Sequence, residues 1–320
     1  MKLREAALRA PVLFLIFNRP GPTQKVFNEI KKARPARLFV AADGPREAGE
    51  GGSRDDVKKC RQARDIMRQI DWECELKTLS REKNLGCCKA VYTAIDWFFE
   101  HVEQGIILED DCVPSQSFFR FCGELLDRYK DDPGVWQING NNFHSPYVRS
   151  GFDYHFSYYP HVWGWATWKR AWKHRIMAKE AYMKIYDPEK LKRLKWTGRE
   201  KWIQMNRLFK SFSGEIDTWD YQWHFTVFMN EGLAAVPKQN QVSNIGFDKD
   251  ATHTKGISPR KTSLARYNIE FPLQHPDHKI IDKKMNQTYR YREVSPPVHE
   301  VLLNELRSFA GSIIKYRKRS

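Results

Sequence analysis

An apolar run, Gly105-Ile106-Ile107-Leu108, ends in three consecutive carboxylates, Glu109-Asp110-Asp111, and continues as Cys112-Val113-Pro114. Apolar positions without alternation predict a strand buried on both faces. Where such a strand surfaces, three adjacent acids repel one another and call for a cation. Hard oxygen ligands suit Mg²⁺ or Mn²⁺, usually shared with phosphate oxygens. The carboxyl ends of strands are also where open α/β sheets bind ligands. A solvated acidic turn is the plain alternative; the buried strand before it favours a metal–phosphate site.

The segments around this strand alternate between strand and helix. Residues 12–17 read as a first strand, and Asn18-Arg19-Pro20-Gly21-Pro22 as turn chemistry. Thr23 is the expected cap of a helix running to Lys32, with Val26, Phe27 and Ile30 as its apolar stripe. Residues 38–42 form a second strand broken by Asp43-Gly44-Pro45, and a Gly-rich loop at 46–56 leads to a helix over about 57–70. Residues 73–80 give a third strand, and Asn84-Leu85-Gly86 precedes a helix carrying Ala90, Val91, Ala94, Ile95 and Phe98. Strands alternating with helices through Glu124 predict a parallel, doubly wound sheet.

After Pro133 the texture changes. Residues 136–142 are short and polar, and 157–172 are crowded with aromatics. Residues 179–210 are basic and helical in pattern, expected as an insertion over the site, and 233–236 form a short apolar strand.

Composition narrows the function classes. With 41% hydrophobic and 13% aromatic residues, global disorder is excluded. No apolar stretch approaches the roughly 20 residues that span a bilayer, and residues 1–10 lack the apolar core of a secretory signal. Six cysteines show neither CxxC nor zinc spacing, so reduced thiols in the cytoplasm are expected. The net charge of +15 admits nucleic acid, an anionic membrane surface or phosphorylated substrates. No GxxxxGK[S/T] loop, zinc-finger spacing or RNP-type motif appears, and the charge is spread over 169–210 and the C-terminal tail, so nucleic acid is not expected as a partner.

In this order the motifs resemble those of a GT-A fold glycosyltransferase, and more narrowly the N-acetylglucosaminyltransferase I-like branch with its bacterial relatives. The resemblance rests on FNRPGPTQKVFNEI (17–30), VAADGPRE (40–47), REKNLGCCKAVYTAIDWFFE (81–100) and ILEDDCVPSQSFFRF (107–121), and covers about 12–254. It implies an α/β fold with a mixed, mostly parallel sheet and flanking helices. A catalytic domain at 1–260 would comprise a nucleotide-binding half (about 11–125) and an acceptor half (about 126–260), with a helical insertion at 173–212 and a C-terminal extension at 261–320. The implied activity is metal-dependent, inverting transfer of a hexose or N-acetylhexosamine from a UDP-sugar to a glycan or lipid-linked acceptor. Asp111 would be the Mn²⁺ or Mg²⁺ ligand, Asp110 would contact the ribose or donor sugar, and Glu109 would support the sugar. Arg19 would face the base or phosphate and Asp43 would accept from the uracil ring, with Arg81 and Asn84 lining the nucleotide pocket. A turn arginine, an Asx turn and a helix cap are the structural alternatives for Arg19, Asp43 and Asn84.

A second cluster is GEIDTWDYQW (214–223), where the resemblance assigns the general base to a Trp-Asp pair, here Trp219-Asp220. Asp217, three residues earlier, is the rival. Trp163, Trp165, Trp168 and Trp172 crowd one stretch. Trp168 and Trp172, four apart, suit a helix core face; Trp163 and Trp165, beside Gly164, suit an acceptor shelf that stacks on sugar rings. His253 aligns loosely with a late family His near the metal or diphosphate.

Two other classes compete. A sugar nucleotidyltransferase would share the sheet and acidic site but carries a Gly-rich basic loop after its first strand, where this chain has Asn18-Arg19-Pro20. A carbohydrate-binding protein gives no reason for the acidic triplet. At the C-terminus, Leu302, Leu306, Phe309 and Ile313 form an apolar face followed by Lys315, Arg317, Lys318 and Arg319. That pattern fits either a membrane-surface anchor, placing the enzyme on the inner face of the membrane, or a docked helix with a solvated basic tail.

Overall fold

The computed structural model describes residues 8–47, 55–144, 151–247, 264–279 and 281–290. The chain runs β1 (Val12–Ile16), α1 (Pro20–Ala33), β2 (Arg37–Ala42), α2 (Asp56–Asp65), β3 (Glu75–Ser80), α3 (Gly86–His101), β4 (Gln104–Glu109), β5 (Cys112–Pro114), α4 (Gln116–Arg128) and β6 (Val135–Asn139). It continues as β7 (Tyr154–Ser157), β8 (Trp165–Trp168), α5 (Lys169–Trp172), α6 (Lys179–Ile185), α7 (Pro188–Lys192), α8 (Gly198–Ser213), α9 (Asp220–Met229), β9 (Leu233–Pro237), β10 (Val242–Asn244) and α10 (Lys283–Tyr289).

Eight strands form one sheet in the order β3-β2-β1-β4-β8-β6-β9-β7. β3, β2, β1, β4, β6 and β9 run one way and only β8 and β7 oppose them. The expected mixed, mostly parallel sheet with flanking helices is therefore what the chain adopts. The unalternating apolar runs have their reason in the two faces. Val12, Phe14, Ile16, Ile106 and Leu108 face the layer of α1, α2 and α4, while Leu13, Leu15 and Ile107 face α3 and α9. A strand sandwiched this way has no polar side to present.

Local details differ from the sequence pattern. α1 begins at Pro20, so Thr23 sits in its first turn and returns its hydroxyl to the Arg19 carbonyl at 2.7 Å rather than capping the helix. The fixed φ of Pro20 suits a first helical position, which explains the earlier start. The helix expected over 57–70 stops at Asp65 and tightens into a 3₁₀ turn, Ile66–Gln69. Trp168 ends β8 instead of sharing a helix with Trp172, although both are buried. The polar stretch 136–142 contains central strand β6, whose Gln137 and Asn139 are buried and hydrogen-bonded to each other at 2.7 Å.

The basic segment expected over the site folds as α6–α8 and packs on α9, with Tyr182, Leu191, Leu194 and Leu208 against Phe225, Phe228 and Met229. No residue of 173–212 lines the cleft described below. Residues 264–279 bury Ile269 and Leu273 in the main core, whereas the amphipathic segment 301–314 and its basic tail lie outside the described residues. Among the described residues no helix is long and apolar enough to cross a membrane.

Gly44 holds the β2 loop against the loop before α3. A Cβ there would lie 2.3 Å from the Lys83 carbonyl carbon. Gly44→Ala is expected to destabilise the fold by about 1–3 kcal/mol in urea unfolding, because backbone rather than a flexible side chain must move. An unchanged midpoint would show that the two loops do not meet so closely.

Candidate functional site

The C-terminal ends of β1, β2 and β4 open on a cleft of about 410 Å³. Of the twelve residues singled out in the sequence, ten line it: Arg19, Asp43, Arg81, Asn84, Glu109, Asp110, Asp111, Trp163, Asp217 and Asp220. A larger trough of about 760 Å³ beside α1, lined by Lys25, Lys31, Lys32 and Arg34, contains none of them.

The acidic triplet meets Arg19 directly. Arg19 Nε donates to Asp110 Oδ2 at 3.3 Å, its Nη2 bonds Asp110 Oδ1, and its Nη1 pairs with Asp111 Oδ2 at 3.0 Å. Burial works against the charge on Arg19, but Asp110 and Asp111 outweigh it and hold the guanidinium firmly protonated. Burial also pushes the Asp110 carboxyl up, with Arg19 opposing. Glu109 accepts no hydrogen bond among the described residues, and burial, then Asp111 and Asp110, push its carboxyl up to about 8. The site therefore already contains one internal cation shared by two of its three acids.

Two further groups complete this wall, and no spacing along the chain ties them to it. β10 pairs with β5 and brings Asn244 Nδ2 to 3.5 Å from Asp111 Oδ1. At Gly246 a Cβ would stand 2.0 Å from Asp111 Oδ2 and 3.0 Å from Arg19 Nη1, so only glycine fits there. The Asn-x-Gly pattern after a short strand is turn chemistry that marks such a close approach, but it does not say to what.

Among the described residues no three His, Cys, Asp or Glu side chains are gathered as a metal cage, and His253 lies outside the described residues. Asp110 and Asp111 nevertheless fit a hard divalent ion, which is commonly held by one or two carboxylates and completed by water and phosphate. Arg19 would have to release them first.

The residues expected around a nucleotide are bonded to one another. Asp43 accepts from Gly44 N at 2.9 Å, Leu85 N at 3.1 Å and Asn84 Nδ2 at 2.9 Å. Asn84 Oδ1 accepts from Gly86 N at 3.1 Å. Arg81 donates to the Ala90 carbonyl at 3.0 Å and Thr93 Oγ1 at 2.6 Å, both in α3. These three side chains brace the rim between β2 and α3.

Asp217 and Asp220, left open as rivals, occupy different environments. Asp217 accepts from the backbone N–H groups of Cys87 at 2.6 Å and Cys88 at 2.8 Å, capping the start of α3 from a distant segment. Gly86, at φ +78°, leaves room: a Cβ there would sit 2.7 Å from Asp217 Oδ2. Asp220 Oδ1 accepts from Thr218 Oγ1 at 2.5 Å and Tyr221 N at 2.9 Å, while Oδ2 has no hydrogen-bond partner among the described residues. Burial, then Glu109, Asp217 and Asp220, push the Cys87 thiol well up, which leaves it a poor nucleophile.

One expected acceptor residue is corrected. Trp165 is fully buried and stacks on Trp219 at 5.6 Å, with Trp223 at 5.8 Å and Trp172 at 6.2 Å. As the first residue of β8 it faces the α3–α9 layer and offers no surface to a ligand. Trp163 is half-buried at the cleft, edge-on to Phe143 at 5.1 Å and Phe247 at 5.8 Å.

No family model matches the sequence, and no curated protein matches it. Among solved structures the chain is similar to S. aureus TarS 1–349, at 12% identity and a TM-score of 0.39, over 72% of this chain and 59% of that one. It is also similar to mouse xyloside xylosyltransferase 1 in its apo form, at 11% identity and a TM-score of 0.33, over 68% of this chain and 80% of that one. The chain thus spans less than two thirds of the TarS fragment. A likeness this loose assigns no function.

Two measurements probe the site without a substrate. Asp217→Ala should cost about 1 kcal/mol of stability, the usual loss for a helix cap, and should raise amide exchange at Cys87 and Cys88; unchanged exchange would remove the cap. Glu109 carries its proton in the fold up to about pH 8, against 4.5 for the ordinary side chain. The folded state therefore binds more protons than the unfolded one across that window, and stability falls as pH rises through it. Glu109→Gln should gain on the wild type from pH 5 to pH 9 by up to about 4 kcal/mol. A stability gap that stays constant with pH would refute the raised carboxyl.

Proposed function

We propose that this protein is a glycosyltransferase that moves a sugar from a nucleoside-diphosphate donor, a UDP-sugar, to the hydroxyl of a glycan or lipid-linked acceptor, in the manner of GT-A enzymes. The observation that carries the reading is a division of labour within one cleft. Asp110 and Asp111 hold the Arg19 cation at the C-terminal end of β4, while Asp220, on α9, keeps one carboxylate oxygen without a hydrogen-bond partner among the described residues.

Each residue then has a task. Asp220 takes the acceptor hydroxyl proton as that oxygen attacks the anomeric carbon, with Thr218 and the Tyr221 N–H fixing the orientation of its carboxylate. Asp43, Asn84 and Arg81 keep the nucleotide rim in shape, and Trp163 offers a ring to the acceptor sugar. A bound Mn²⁺ or Mg²⁺, held by Asp111 with Asp110, would offset charge on the leaving diphosphate. In that arrangement Arg19, freed from the carboxylates, turns to phosphate, for which its planar fork is suited. A second reading follows from the contacts of Arg19 with both acids: the guanidinium is itself the cation, and transfer proceeds without metal.

The test is release of UDP from a panel of UDP-sugars, with Mn²⁺ and with a chelator. Asp220→Ala should lower turnover about 10²–10⁴-fold with donor affinity retained. Asp111→Asn should abolish Mn²⁺-dependent UDP binding in calorimetry. Activity that persists in chelator selects the Arg19 reading. Pyrophosphate release in place of UDP would make the protein a nucleotidyltransferase, and no turnover with any donor would overturn the proposal.

A further inference from the structure

We infer that α6 and α8 together form a docking surface for an anionic lipid bilayer. Seven large hydrophobic side chains are strongly exposed among the described residues, and four belong to these two helices: Met183 (60%), Ile185 (37%), Trp202 (67%) and Phe209 (41%). Trp202 and Phe209 are seven residues apart and so share one face of α8. Tyr182 joins the helices from beneath, its ring 5.8 Å from Phe209 and 5.7 Å from Phe212. The exposed apolar side chains thus ride on a packed base that includes Leu208 and Phe225.

Charge selects the occupant. Residues 173–212 carry 12 Lys+Arg and 4 Asp+Glu, a net +8 out of +15 for the whole chain. Lys179, Lys184, Lys195 and Lys201 have no acidic partner among the described residues. A single-stranded nucleic acid would use the cations and stack on Trp202 and Phe209, but gives no role to the aliphatic Met183 and Ile185. An apolar protein groove would use those four but not eight excess charges. Anionic headgroups with acyl chains beneath them satisfy both, and tryptophan is at home at that boundary. α6 and α8, of 7 and 16 residues, are shorter than a bilayer-spanning helix, so a bilayer would meet them along its surface. α8 packs on α9, which begins at Asp220, so docking here would hold the cleft at a fixed place relative to the bilayer. The inference stands on exposure and charge and does not require the sugar-transfer reading.

The full-length protein is sedimented with vesicles of phosphatidylcholine alone or with added phosphatidylglycerol. Binding is expected only to the anionic vesicles. It should weaken about tenfold or more in Trp202→Ser/Phe209→Ser and in Lys184→Glu/Lys201→Glu, since apolar insertion and charge add to one another. All four positions are at the surface or partly exposed, and circular dichroism checks that each variant is folded. Every variant retains residues 291–320, so the basic C-terminal tail cannot produce the difference. Wild-type protein that fails to bind, or a Trp202/Phe209 variant that binds as well as wild type, would overturn the inference. So would tighter binding to single-stranded RNA that ignores the apolar substitutions.

Discussion

A strand buried on both faces can end in three carboxylates only if something positive meets them, and Arg19 is that group. Its position follows from the chain around it. β1 runs parallel to β4 in the sheet, so the residues after β1 emerge beside the end of β4. Pro20 starts α1 immediately afterwards, which leaves Arg19 as the last residue free to turn inward. The absence of a Cβ at Gly246 lets the chain after β10 close over the same contact. Three remote segments therefore depend on one ion pair, and any ligand of the cleft must either use it or replace it. A partly buried pair of this kind resists screening by salt, but loss of one partner leaves an uncompensated charge. An added cation and an added phosphate can satisfy both halves at once, because each takes the partner that the other releases.

The other wall is organised by aromatic packing. Trp165, Trp172, Trp219 and Trp223 form a compact group on the α3–α9 face, and Trp223 Nε1 donates to Gln137 Oε1 at 2.6 Å. Trp219 is buried in this group and fixes the backbone from which Asp220 projects. Aromatic side chains have few rotamers, so a residue adjacent to such a cluster is held with little residual freedom. Asp217 lies just outside the cluster, where both oxygens of its carboxylate are taken up by the otherwise unpaired Cys87 and Cys88 N–H groups at the start of α3. Two acids three residues apart thus differ because one meets a helix end and the other does not.

How much of this could be read from the sequence varied with the range of the contacts involved. β1, β2 and β4 were legible as unbroken apolar runs because burial on both faces leaves a local signature. Their order with the intervening helices was legible for the same reason. β6 was not, since its Gln137 and Asn139 look like loop residues until each other and the Trp223 ring nitrogen are seen to satisfy them. The ten site residues that line the cleft, the acidic triplet among them, came from local motifs set in order. Trp165 was misplaced because its neighbour Gly164 suggested exposure, whereas strand pairing with Ile107 and Asn139 decides its direction. Arg19 was foreseen in the cleft but not as the counter-charge, since nothing local to residues 17–22 records what stands 91 residues away.

α9 shows why α6–α8 are part of the body. Most of α9 is buried from Gln222 to Met229, and its apolar residues point in every direction. A helix apolar all round needs neighbours on all sides. The sheet supplies one, through the tryptophan group that takes Trp223 and Val227. It cannot also cover Phe225, Phe228 and Met229, which face the opposite way and are covered by α6–α8. Without α6–α8 those three side chains would meet water, each at a cost of about 1.5–3 kcal/mol. The helix that begins with Asp220 therefore depends on α6–α8 to cover its outer face. The same packing seats α6 and α8 on α9 through Tyr182 and Leu208.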